Sequence, residues 1–106
     1  MVAFSDYLEN ELLDHIFLTA DYVSETNLYI ALCTSTPLDA NTTAPAGELS
    51  GGGYLRIKCN TWDLAAAGAT ENTQTVTFPQ ATADLGTVTH FEIGRASCRE
   101  RVLLEV

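Results

Sequence analysis

The chain has 106 residues, 46% of them hydrophobic, with a mean hydropathy of +0.07, which suits one globular domain with a modest core rather than a disordered tail. Fourteen Asp and Glu face five Lys and Arg, for a net charge of −9; such a surface repels phosphate backbones, so nucleic-acid binding is not expected. No run approaches the roughly 18–20 apolar residues of a membrane helix, and Met1-Val2-Ala3-Phe4-Ser5-Asp6 lacks the basic start and apolar stretch of a secretory signal, so neither membrane insertion nor export is expected.

The first element reads as an amphipathic helix from Ser5 to Phe17. The Ser5 hydroxyl is placed to cap the free N–H groups of the first turn, and Asp6 complements the positive end of the helix dipole. Leu8, Leu12, Leu13, Ile16 and Phe17 recur at helical spacing and predict one apolar stripe. That stripe is the candidate interface, laid on a sheet or on a neighbouring subunit.

Strands and loops follow. Leu28 to Cys33 is nearly all apolar and predicts a strand buried on both faces. A loop rich in Thr, Ser, Pro, Asn and Gly runs from Thr34 to Gly53. It ends in Gly51-Gly52-Gly53, which lacks the Lys-Ser/Thr ending of a phosphate-binding loop and predicts a structural turn with positive φ. Tyr54 to Cys59 alternates as a strand, Leu55, Ile57 and Cys59 sharing one face. A polar, alanine-containing stretch from Trp62 to Asn72 leads to a strand at Thr75–Phe78, stopped by Pro79. A last strand is expected from Gly86 to Ile93, with Thr87, Thr89, Phe91 and Ile93 on one face. The fold class expected is mainly β (α+β): a β-sandwich-like domain with one N-terminal amphipathic helix.

No reactive constellation emerges. Cys33, Cys59 and Cys98 are far apart and show no zinc spacing, so Cys33 and Cys59 read as small buried hydrophobes, with a Cys33–Cys59 disulfide as the alternative. His15 and His90 lack a nucleophile and an orienting group in any recognisable pattern, and no calcium loop surrounds Glu9, Glu11 or Asp14. Neither enzyme activity, nor a metal, nor any other cofactor is therefore expected. Tyr54 and Trp62 are the candidate ligand surface, because aromatic rings can stack on sugars.

Composition breaks near Ile93. Up to Glu92 there are twelve acidic residues against two basic ones, Arg56 and Lys58, whereas Arg95, Arg99 and Arg101 crowd the end. Residues 93–102 match the translation of a common sequencing adapter. The expectation is a natural domain over residues 1–92, missing its last strands, followed by a non-natural stretch over 93–106.

Four blocks carry a family resemblance: Ala3 to Asn10 with Leu12-Leu13-Asp14-His15; Leu28 to Leu32 with Thr34-Ser35-Thr36-Pro37; Ser50 to Tyr54 with Arg56; and Thr77-Phe78-Pro79 with Ala81-Thr82-Ala83 and Gly86 to Phe91. In this order they resemble a family of small tailed-phage proteins described as tail fibre or minor virion structural proteins. The resemblance implies a virion component assembled in the host cytoplasm, a homo-oligomer whose partners are other phage virion proteins. A receptor- or carbohydrate-binding module for a host surface glycan, and a head decoration protein, are the alternatives.

Overall fold

The computed structural model describes residues 3–23, 26–36, 38, 47–94 and 102–105. Part of the Thr34–Gly53 loop, including Pro37 and Pro45, lies outside the described residues, as do Cys98 and the three arginines after Gly94. The elements are β1 (Ala3–Phe4), α1 (Asp6–Phe17), β2 (Tyr29–Cys33), β3 (Ile57–Lys58), β4 (His90–Gly94) and β5 (Val102–Glu105). All five strands join one antiparallel sheet in the order β1-β5-β4-β2-β3.

The helix begins as its sequence predicts. Ser5 has extended backbone (φ −66°, ψ 156°), its Oγ accepts from the Leu8 N–H at 3.3 Å, and it is fully buried. A capping hydroxyl of this kind stabilises a helix by about 1 kcal/mol. The helix stops where Thr19 turns left-handed (φ 54°), while Leu18 and Ala20 both donate to the Asp14 carbonyl. His15 donates from Nδ1 to the Ala20 carbonyl at 2.8 Å, closing the same end.

β2 is the centre of the sheet. On one side it pairs with β4 along its whole length, Ile30 opposite Ile93 and Leu32 opposite Phe91. On the other side the partner changes part-way. Tyr29 and Ile30 pair with Lys58 and Ile57 of β3, and beyond them the Leu32 carbonyl accepts from Leu49 and Thr34 donates to Gly47. The predicted Tyr54–Cys59 strand is accordingly cut to two residues. Where the ladder would have continued, the Leu32 N–H donates instead to the Tyr54 Oη at 3.1 Å. The phenol oxygen replaces a backbone acceptor that a buried strand must find somewhere.

Two other expectations change. Thr75–Phe78 alternates in burial, Val76 and Phe78 turned inward, but joins no ladder. The last strand starts at His90 rather than Gly86, and its fully buried side chain is Glu92, opposite Ala31, while Phe91 and Ile93 are only half-buried. Cys33 and Cys59 are both buried, and neither is in a disulfide. Cys59 donates to the Leu28 carbonyl at the start of β2 and Cys33 ends that strand, a separation of about 16 Å at strand rise, far beyond disulfide reach.

The stretch from Trp62 to Asn72 is a hairpin arm. Trp62 pairs with Asn72 and Ala66 with Ala69, with Asp63 donating to the Glu71 carbonyl between them. Its two-residue loop has positive φ at both Ala67 (53°) and Gly68 (75°), the signature of a type I′ turn. Alanine in that region costs about 1–2 kcal/mol. Ala67→Asn should therefore raise the unfolding free energy by about 1 kcal/mol, read as a higher denaturant midpoint at unchanged slope.

Candidate functional site

The five residues of the predicted helix stripe do not share one environment. Leu8 is 8% exposed and Leu12 half-buried, and these two, one turn apart, face the body. Leu13 (51% exposed), Ile16 (65%) and Phe17 (74%) face away from it, joined past the helix end by the exposed Leu18. The single stripe is thus corrected to two faces. The helix meets the body chiefly through β1, so one face suffices to hold it and the other is left open.

The open face is also not purely apolar. Glu9, Leu13 and Ile16 stand at i, i+4 and i+7, and Asp6 at i−3 of Glu9 extends the same line. The first turns of that face are therefore carboxylate and the last turns apolar. Both acids are exposed and lie in the first turn, where they favour the positive end of the helix dipole.

Tyr54 and Trp62 are not brought together. The Tyr54 ring stacks on Phe78, with centroids 6.4 Å apart and planes 16° from parallel. Both rings border an apolar cleft of about 350 Å³, whose other walls include Leu32, Leu49, Leu85 and Val88; Trp62 is not part of it. The Trp62 Nε1 donates to the Cys59 carbonyl at 2.9 Å, fastening the root of the hairpin arm.

At the polar end of the cleft, Glu48 gathers three donors. Tyr54 Oη donates to its Oε1 at 3.0 Å, and Arg56 binds both carboxylate oxygens, Nε at 2.7 Å and Nη2 at 2.6 Å. Sequence reading missed Glu48 because its partners lie across a turn, at spacings that carry no motif. The three glycines are the predicted turn: φ is 71°, 55° and 81° at Gly51, Gly52 and Gly53, and Tyr54 donates back to the Gly51 carbonyl. A Cβ on Gly52 would come within 2.9 Å of the Leu85 side chain, so glycine also lets the turn approach the cleft wall.

These elements form an exposed apolar helix face and a braced fold. Among the described residues no three His, Cys, Asp or Glu side chains gather to hold a metal, and no helix is long and apolar enough to cross a membrane. His90 is half-buried, its nitrogens at 3.3 Å from Thr36 Oγ1 and 2.8 Å from Thr89 Oγ1. A family described as the podophage GP4 fiber I protein gp80 matches residues 3–101, nearly the whole chain. The chain belongs to this family. It is a bacteriophage tail-fibre structural protein and a virion component, as the four sequence blocks imply. The family match takes in most of the stretch that resembles a translated adapter. No curated protein matches the chain.

In this fibre protein the Tyr54 phenol is pushed well above the usual tyrosine value near 10, first by burial and further by the Glu48 charge, against the lowering effect of the Leu32 N–H and Arg56. A proton held more tightly in the folded state stabilises the fold below pH 10, and that contribution falls as the unfolded chain begins to ionise. Stability should decline from about pH 10 upward, and less steeply in Tyr54→Phe. At neutral pH the same substitution should cost about 1–3 kcal/mol, because it leaves Leu32 N–H and Glu48 short of a partner. Denaturant titrations at a series of pH values measure both effects.

Proposed function

We propose that this fibre protein is a non-catalytic assembly element that docks on the phage tail through the open face of α1. The observation that carries the reading is the exposure of Leu13, Ile16, Phe17 and Leu18 in one contiguous patch on a helix already anchored by its opposite side. Monomeric surfaces rarely leave such a patch uncovered without a partner for it. Several copies would be arranged around the tail after assembly in the host cytoplasm, where modest contacts gain strength through copy number. The short edge strands β1 and β3 are the sites at which copies would meet one another. Assembly is favoured over glycan binding because the Tyr54 ring is stacked on Phe78 and Trp62 lies outside that cleft, which leaves no shared aromatic platform.

We also retain residues 93–106 as a non-natural ending to a domain of residues 1–92. On that reading Val102–Glu105, which lies between β1 and β4, occupies the place of a natural strand. Natural coding sequence continuing through residue 106 in resequenced source DNA would overturn it.

The assembly reading is tested by Ile16→Ser with Phe17→Ser. Both side chains are exposed, so the unfolding free energy should change by no more than about 0.5 kcal/mol per site. Incorporation into particles, measured by quantitative blotting of purified virions, should fall at least roughly tenfold, the effect of about 1.4 kcal/mol of lost contact. Wild-type incorporation of this variant would reject the helix as the docking element.

A further inference from the structure

The open face of α1 carries two chemistries in sequence along one line. Asp6 and Glu9 occupy its first turns; Leu13, Ile16 and Phe17 occupy its last. From Glu9 to Ile16 is seven residues, or about 10 Å along the axis. Building on the docking role proposed above, we infer that this face binds a different virion protein, one whose surface sets lysine or arginine side chains about 10 Å from an apolar pocket, and that it does not bind a second copy of this chain.

Charge complementarity decides between the two occupants. Two copies paired in parallel through this face would bring Asp6 and Glu9 against their own counterparts, with like charges opposed. Fully overlapped antiparallel copies would set those carboxylates against Ile16 and Phe17, removing them from water with no cation to receive them. The other described residues cannot correct either arrangement. Among the described residues the lysines and arginines are Arg56 and Lys58; Arg56 is bound through two nitrogens to Glu48, and Lys58 lies on the edge strand β3. On the proposed reading of residues 93–106 as a non-natural ending, which sets aside Arg95, Arg99 and Arg101, a basic rim must come from another protein. The expected mode is a helix laid in a groove, its apolar end supplying the anchors and its acidic end setting direction along the groove.

The test uses the full chain and tail particles assembled without it, with binding titrated at about 50 mM and about 300 mM salt, on either side of the screening length of physiological solutions. Wild type should bind more weakly at the higher salt. Glu9→Arg should weaken binding at least roughly tenfold and flatten that salt response, with Glu9→Gln between the two. Ile16→Ser with Phe17→Ser should weaken binding to a similar degree while keeping the salt response. Far-ultraviolet circular dichroism should show unchanged helix content in each variant, and sedimentation should show no helix-dependent dimer at low salt. Wild-type affinity and salt response in Glu9→Arg would overturn the basic partner and leave the docking role standing. A low-salt dimer abolished by the Ile16 and Phe17 substitutions would overturn the exclusion of a second copy. Absence of wild-type binding to the tail particles would overturn both readings.

Discussion

Everything in this fold is arranged around the need to pair both edges of β2. The strand supplies three of the buried apolar side chains, Ile30, Ala31 and Cys33, so its amides and carbonyls have no water to turn to. One edge is satisfied by β4 in a single uninterrupted register. The other has no single partner long enough. It is completed in pieces: β3, the Gly47–Leu49 segment, the Tyr54 hydroxyl at Leu32, and Asn60, whose Oδ1 accepts from Leu28 at the entry to the strand. The surrounding loops take their course from that requirement. The triple-glycine turn returns the chain so that Tyr54 reaches Leu32, and Arg56 holds Glu48 where the same phenol can donate to it.

The division of labour that results is physical as well as functional. The body needs only one side of α1, where Leu8 is buried and Ser5 closes the cap. A second apolar side would be a liability in a free monomer, yet it is present and open. In a member of a virion fibre family that face is the docking surface proposed above. On the proposed docking role the acidity of the chain has a place, since long-range repulsion would keep copies apart until a complementary partner overcomes it.

Much of this was legible in the sequence where the signal is local. The Ser5 cap, the helix length, the positive φ of the three glycines and the central apolar strand all follow from short-range rules, and all are found. The helix stripe was legible as five residues but not as two faces, because spacing alone does not say which side the body will take. Glu9 stands in line with Leu13 and Ile16 on the open face, a placement that becomes visible only once the body has taken the other side. The hairpin arm was hidden because Ala66, Ala67 and Ala69 carry no strand signal and the turn lacks the usual Asn-Gly pair. The strand expected at Tyr54–Cys59 shrank because a side-chain hydroxyl took over a backbone contact, an exchange that no alternation pattern encodes. Glu92 escaped notice for a similar reason: its burial opposite Ala31 depends on strand register rather than on residue type.

The order of strands across the sheet has a consequence for the sequence of events in folding. β2 pairs along its whole length with His90–Gly94, so the central strand is made long before the partner for that edge. The helix and the hairpin arm close through neighbours only a few residues away and can form while synthesis continues. The sheet must wait until β4 has been made. During that interval α1 exists without the body that later covers Leu8, with apolar surface on both sides. A nascent fibre chain is therefore stickier than the finished one, and the time it spends in that condition is governed by how soon β2 meets β4.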